Sequence, residues 1–348
     1  MFNFRPVWFD SLGAKSSCVF VKTPDIRVVI DPGIAIMHPS FPASWIKKLH
    51  WLKQGMVKII KAIKESDVVI ISHYHYDHYL PEEIEVYKNK TVFIKNPNIY
   101  INDSQRGRAE EFFQKVCKSF GRTSLTDIVK TPEKRNYPDP MKDIPLARKK
   151  SFGDYTERRE KLLSDGEKWL KNRIKLWNKR PFIPELRFSE LKIIYPEGKE
   201  FVYGRTRIRF TQPLFHGIEF SRVGWIFATV IEYGKKKLIH SSDMNGPIIE
   251  DYAEWIIKED PDVLFLDGPP TYLIPYMMNM INFRRALNNI CRIIKKTNTE
   301  LIILDHHLLR EKGYKRRLKE AYELAKKEKK TVITAAEYIG EKPVIDSL

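Results

Sequence analysis

Short apolar runs broken by turn formers open the chain. Residues 7–9, 17–22 and 26–30 combine β-branched and aromatic side chains and predict three strands. The period then changes. Ile46, Leu49, Leu52, Met56, Ile60 and Ile63 recur at three- and four-residue steps, which predicts a helix over 44–65 with those residues inward and Ser44 as N-cap. Residues 68–72 form an almost wholly apolar strand that runs directly into His73. Pro81 suits the first turn of a helix through Tyr87, and 91–95 reads as the next strand. From about 100 to 191 the strand pattern stops. Helices are predicted over 104–120 and 156–177, joined by a Pro- and charge-rich connection at 131–145. Strands return at 193–195, 207–212, 225–233 and 237–241. Strand 263–266, helix 276–295, strand 301–304 and helix 310–329 then alternate. Alternation after an antiparallel opening predicts an α/β protein of layered sheets with helices on both outer faces. We read 1–348 as one domain and 100–191 as a mainly helical insertion in it.

Composition narrows this picture. The 61 Lys and Arg against 44 Asp and Glu give a net charge of +17. Residues 106–180 hold 21 basic and 11 acidic side chains, and 310–330 hold 10 and 4, so two segments carry most of the excess. Such surfaces attract polyanions, although charge runs are more often solvated faces. Trp169 and Trp177 read as the core face of an amphipathic helix rather than as a stacking platform. Three scattered cysteines, Cys18, Cys117 and Cys291, exclude a disulfide framework and fit a reducing, cytoplasmic setting. No apolar stretch approaches the ~18 residues of a membrane span, and the opening residues do not read as a secretory signal. The abundance of Lys, Arg, Glu and Ile resembles a thermophile's composition.

The chemistry concentrates in Ile71-Ser72-His73-Tyr74-His75-Tyr76-Asp77-His78. Residues two apart in extended backbone point the same way, so His73 and His75 can converge on one metal ion. Asp77 and His78 follow in the turn and can reach a second. Imidazole and carboxylate donors suit zinc, manganese or iron better than calcium. Four residues cannot close two sites. Further candidates are His216, Asp243, His306 and His307, each just beyond an apolar strand, where layered α/β folds gather their sites. Gly268-Pro269-Pro270 forces a rigid turn that either sets Thr271 and Tyr272 beside a substrate or is purely structural.

An early Asp31-Pro32-Gly33, the run His73 to His78, and single His216, Asp243 and His306 at strand ends resemble the metallo-β-lactamase superfamily of metal-dependent hydrolases. Asp10-Ser11-Leu12-Gly13, Gly268 to Leu273 and Asp305 to Arg310 more narrowly resemble an archaeal family within it. The resemblance implies a four-layer αβ/βα sandwich with a dimetal site at one edge. It places His73, His75 and His216 on the first ion and Asp77, His78 and His306 on the second, with Asp243 bridging two divalent cations, zinc foremost and manganese or iron as alternatives. Asp31 is implied to be structural, Asp77 to orient a metal-bridging hydroxide, and His307 to be free as a proton donor. The substrate expected first is a phosphodiester or nucleic acid. The alternatives are a small ester, lactone, thioester or phosphorylated metabolite, or a metal-bearing nucleic-acid-binding protein without turnover.

Overall fold

The structure, a computed structural model, describes residues 2–348. β1 (Asn3–Phe9), β2 (Ser17–Lys22) and β3 (Arg27–Ile30) pair antiparallel in succession. β4 (Val68–Ile71) and β5 (Lys90–Ile94) extend them in parallel. With β6 (Leu186–Phe188) and β7 (Leu191–Ile194) they make a seven-stranded sheet of order β1-β2-β3-β4-β5-β7-β6. The second seven-stranded sheet holds β8 (Glu200–Tyr203) and β9 (Thr206–Phe210), and beyond a small ribbon of β10 (Leu214–Phe215) and β11 (Trp225–Ile226) it adds β12 (Thr229–Tyr233), β13 (Lys236–His240), β14 (Val263–Asp267), β15 (Leu301–Asp305) and β16 (Thr331–Ile333).

Period-two alternation builds the layers. Val68 and Ile70 of β4 point into an inner core shared with Ile208, Phe210, Phe265 and Ile303 of the second sheet. Val69 and Ile71 point the other way, onto helices. In β15 the middle residue Ile303 faces the inner core, while Ile302 and Leu304 face outward. Strands buried on both faces need continuous apolar runs, which Val-Val-Ile-Ile of β4 supplies. α1 (Trp45–Glu65) packs on β1 and β3 of the first sheet. α2 (Asp103–Val116), α3 (Leu125–Ile128), α4 (Pro145–Lys149) and α5 (Thr156–Trp177) all lie between β5 and β6. α6 (Glu250–Glu259), α7 (Met280–Lys296), α8 (Tyr314–Arg317), α9 (Lys319–Lys327) and α10 (Ala335–Tyr338) accompany the second sheet. Two sheets face to face, each with helices outside, form the αβ/βα sandwich. Among the described residues no helix is long and apolar enough to cross a membrane.

Several local expectations differ. In α1 Ile63 is buried and Leu52, Met56 and Ile60 pack half-buried on the core as expected, but Ile46 is 79% exposed and Leu49 41%, and Lys48, Gly55, Ile59 and Ala62 are buried instead. Gly55 sets this rotation: a Cβ there would lie 2.3 Å from Ile34 Cδ1, so only glycine lets the helix approach. The buried Lys48 ammonium is satisfied by the carbonyls of His38 and Pro39 at 2.9 and 3.1 Å. The helix expected from Pro81 is a single turn of 3-10 helix, Ile84–Tyr87. The expected strand 225–233 is split, and the helix expected from Arg310 begins only at Tyr314. Arg310 instead ends a 3-10 turn and is buried on Asp10.

Candidate metal centre

The carboxyl ends of parallel strands converge at one edge of the sandwich. β4 stops at Ile71, and the chain bends through His73 to His78. Tyr74 is fully buried and its hydroxyl donates to the Lys95 carbonyl at 2.6 Å, which anchors the bend and leaves the flanking histidines on the open side. His73 Nε2 and His75 Nδ1 are 3.0 Å apart. Their convergence therefore comes from a bend pinned by Tyr74, not from the strand alternation expected of the sequence. Gly33 lets this loop close. A Cβ there would sit 2.1 Å from the Tyr79 nitrogen and 2.2 Å from the His78 nitrogen.

Asp243 lies just past β13, with Ser242 and Asn245 beside it at φ +53° and +55°. Its Oδ2 is 3.0 Å from His216 Nε2 and 3.4 Å from His73 Nε2. Its Oδ1 is 3.2 Å from His78 Nε2 and 3.5 Å from His306 Nε2. His306 Nε2 is also 3.9 Å from Asp77 Oδ2. Donor atoms of His73, His75, His216 and Asp243 all lie within 4.8 Å of one another, as do those of Asp77, His78 and His306, and those of Asp243, His306 and His307. His78 Nε2, both ring nitrogens of His216, Asp243 Oδ1 and His306 Nε2 are buried and make no hydrogen bond. Buried polar atoms are otherwise almost always paired. Orphaned imidazole and carboxylate atoms aimed at common points are the donor set that divalent cations require, so the residues present fit two ions.

A second layer holds these rings. Asp31 accepts from Ser72 N and Ser72 Oγ at 2.7 Å each and lies 3.0 Å from His78 Nδ1. His306, at φ +58°, is 2.9 Å from Asp10 Oδ1 and 3.0 Å from the Ser16 carbonyl through Nδ1. Arg310 donates to Asp10 at 2.5 Å and reaches Asp77 Oδ2 at 3.5 Å and the Tyr272 hydroxyl at 3.1 Å. His307 Nδ1 is 2.8 Å from Asp267 Oδ1, and its Nε2 lies 3.9 Å from Asp243. Of these partners the sequence reading gives a role only to Asp31. Asp10 and Arg310 stand in its motifs without one, and Asp267 is missed. Asp267 ends β14 as Asp243 follows β13, so the strand-end rule that finds the ligands would also have found it.

Electrostatics divide the cluster. Burial drives His73 down to about 4, with His78 reinforcing it, and drives His75 well below its usual value. Burial opposes charge on His78 too, but the Asp243 and Asp31 carboxylates outweigh it and raise that ring to about 10. His306 is likewise raised, by Asp10 and Asp243 against burial. Burial disfavours the Asp77 carboxylate, yet His78, His306 and Arg310 hold it well below the usual range. Burial lowers His307, with Asp267 resisting, so this ring is neutral near pH 7.

Above the cluster opens a cleft of about 720 Å³ lined by His75, Asp77, His216, His307, Tyr272 and Arg310 and walled by Leu162 and Gly166 of α5, the 218–223 loop, Pro270, Leu273, Met277 and Met278. Tyr272 lines it and stacks on His38 at 4.9 Å. Thr271 is a correction to the expected substrate pair: it is fully buried and off the cleft wall, because the Pro269-Pro270 turn points it inward. Trp169 stacks on Trp225 at 5.5 Å and Trp177 is buried, so both tryptophans serve packing, as their spacing predicts.

A family model described as the metallo-beta-lactamase superfamily matches residues 13–80. A UPF0282 protein of Methanopyrus kandleri is 30% identical over 97% of this chain and 93% of its own length. One from Pyrococcus furiosus is 32% identical over 96% of this chain and 86% of its own. A solved structure described as a possible metal-dependent hydrolase from Veillonella parvula is 12% identical, covers 96% of this chain and 95% of its own, and superposes with a TM-score of 0.44. Residues 13–80, the stretch that closes on the converging His73–His78 run, match the metallo-beta-lactamase superfamily, and identity at this level along nearly the whole chain places the protein in the UPF0282 family.

Proposed function

We propose that the protein is a dinuclear metal-dependent hydrolase of a small substrate, with one ion on His73, His75 and His216, the other on Asp77, His78 and His306, and Asp243 shared between them. The observation that carries this reading is the placement of the Asp243 carboxylate, one oxygen toward His73 and His216 and the other toward His78 and His306. Imidazole and carboxylate donors favour zinc, with manganese or iron as alternatives. Two such cations would supply a hydroxide nucleophile at neutral pH and stabilise developing negative charge.

The chain's own groups complete the chemistry. Asp77, kept ionised by its cationic neighbours, is placed to orient the nucleophile. His307 starts neutral with Nδ1 held by Asp267, so Nε2 can take up a proton and return it to the leaving group. His306, braced by Asp10, is the ligand, and His307, on the cleft wall, is the shuttle.

The cleft favours the small-substrate class over a nucleic acid. α5 and the 218–223 loop wall it in. The α5 lysines Lys161, Lys168, Lys171 and Lys175 do not line the cleft, and the tryptophans that could have stacked bases are engaged in packing. Metal analysis of the purified protein, coupled to a panel of phosphodiester, lactone and thioester substrates before and after chelation, tests the reading. Chelation is expected to abolish turnover and added zinc or manganese to restore it. Turnover that survives complete metal removal would overturn it, as would a protein that binds no divalent ion.

A further inference from the structure

Lys15 stands out against its surroundings. Every other residue from Ser11 to Phe20 is buried, and Lys15 alone is half-buried, with its side chain on the cleft. Its backbone is fixed by paired hydrogen bonds with Ala35 at 2.8 and 2.9 Å. The carbonyl of the adjacent Ser16 lies 3.0 Å from His306 Nδ1, and Lys15 lines the cleft with Asp77 and Arg310, which places it on the Asp77–His306 side of the metal cluster. Among the described residues its ammonium forms no hydrogen bond or ion pair. The other charges on the cleft are mostly spoken for. Arg310 is neutralised by Asp10, Glu219 by Arg159 and Arg285, and Asp165 by Lys168. Lys15 and the exposed Arg222 remain as cations without a partner, and outside the metal cluster no carboxylate lining the cleft is left to match them.

The opposite wall has a different character. Leu162, Ile218, Phe220, Val223, Met277 and Met278 line the cleft. Leu162 is 54% exposed and Met277 76%, and with their neighbours they form a contiguous apolar stretch of the lining, the kind of patch that marks a binding groove. His216 begins the 218–223 loop, so this apolar wall adjoins the His73–His75–His216 half, and Lys15 adjoins the Asp77–His78–His306 half.

We propose that the cleft takes an amphipathic anion: a small molecule with an apolar arm against Leu162, Phe220 and Val223 and an anionic oxygen group against Lys15, its hydrolysable bond lying between them at the metal cluster. This rests on the hydrolase reading for the reaction, but the binding part stands apart from it. An unpaired ammonium on a fixed backbone in a partly dehydrated cleft recognises a carboxylate or phosphate in preference to a neutral group, because the interaction is little screened there. Apolar wall atoms reward each added methylene of the arm.

The test is calorimetric binding of acetate, butanoate, hexanoate, octanoate and the neutral octanamide to the metal-loaded and the metal-free full-length protein. Octanoate is expected to bind about tenfold or more tightly than butanoate, as several newly buried methylenes require. Lys15→Met is expected to weaken octanoate about tenfold and leave octanamide unchanged, as loss of one charge-assisted contact predicts. Leu162→Asn and Val223→Asn, both at exposed positions where folding tolerates the change, remove apolar surface without adding charge and should weaken octanoate and leave acetate unchanged. Affinity independent of chain length, or a Lys15→Met protein that binds octanoate as wild type does, overturns the proposal. Failure of the hydrolase reading looks different: chain-length and Lys15 effects persist, with no metal-dependent turnover of any ester.

Discussion

The two halves of the metal cluster share one carboxylate and are built differently. His73, His75 and His216 are held by packing, by the 3.0 Å contact between His73 Nε2 and His75 Nδ1, and by one hydroxyl, Ser72 Oγ at 3.0 Å from His73 Nδ1. Neither nitrogen of His216 has a hydrogen-bond partner. His78, His306 and Asp77 are each braced by a charged neighbour: Asp31, Asp10 and Arg310. Burial, reinforced by neighbouring histidines, keeps His73 and His75 neutral, whereas carboxylates make His78 and His306 cationic in the metal-free protein. His73 and His75 are therefore ready for a cation at neutral pH, and His78 and His306 must first release protons.

Removing the shared group tests this comparison most severely. Asp243→Ala leaves five buried histidines around an empty centre, and metal content measured by mass spectrometry should fall below one ion per chain with turnover at background. Next in size is Asp10→Ala. It strands the buried Arg310 guanidinium and frees the His306 ring, so unfolding in denaturant should show a loss of about 3–5 kcal/mol. Affinity for the second ion should drop about 10- to 100-fold, while the first ion is retained.

How much of this could be read from the sequence follows the same division. The ligands sit at the ends of apolar strands, and β4 and β15 are legible because burial on both faces demands unbroken apolar runs. The braces are not legible. Asp10 and His306 are 296 positions apart, and an aspartate that braces a ring looks in sequence like any turn former. Arg310 reads as one more charge in a basic run, although it is buried. The first turns of α1 are misread because a lysine and a glycine, not Ile46 and Leu49, turn inward there, and their reasons for burial lie in the carbonyls of the 38–39 turn and in Ile34.

The pH dependence of the metal-free protein separates the halves by sign. His73, lowered to about 4 by burial, binds a proton in the unfolded chain but not in the folded one between that value and about 6.5, so stability falls as pH drops through this window. His78, raised to about 10, holds its proton in the folded state above 6.5, so its contribution is complete below that pH and is lost on the way up to about 10. Unfolding curves should therefore peak near pH 6.5 and decline on each side by about 1.4 kcal/mol per pH unit for each group involved. A flat profile would mean that the two halves are not electrostatically distinct. The smallest effect belongs to the side chain that touches both. Ser72→Ala removes a donor to Asp31 and an acceptor for Ser242 Oγ at 2.7 Å, and thermal unfolding should register about 1–3 kcal/mol.

The most direct measurement is anomalous diffraction at the zinc edge from crystals of the zinc-loaded protein. Two peaks should appear, one beside His73, His75 and His216 and one beside Asp77, His78 and His306, on either side of the Asp243 carboxylate and about 3.5–4 Å apart. A single peak, or peaks away from Asp243, would contradict the shared-carboxylate centre.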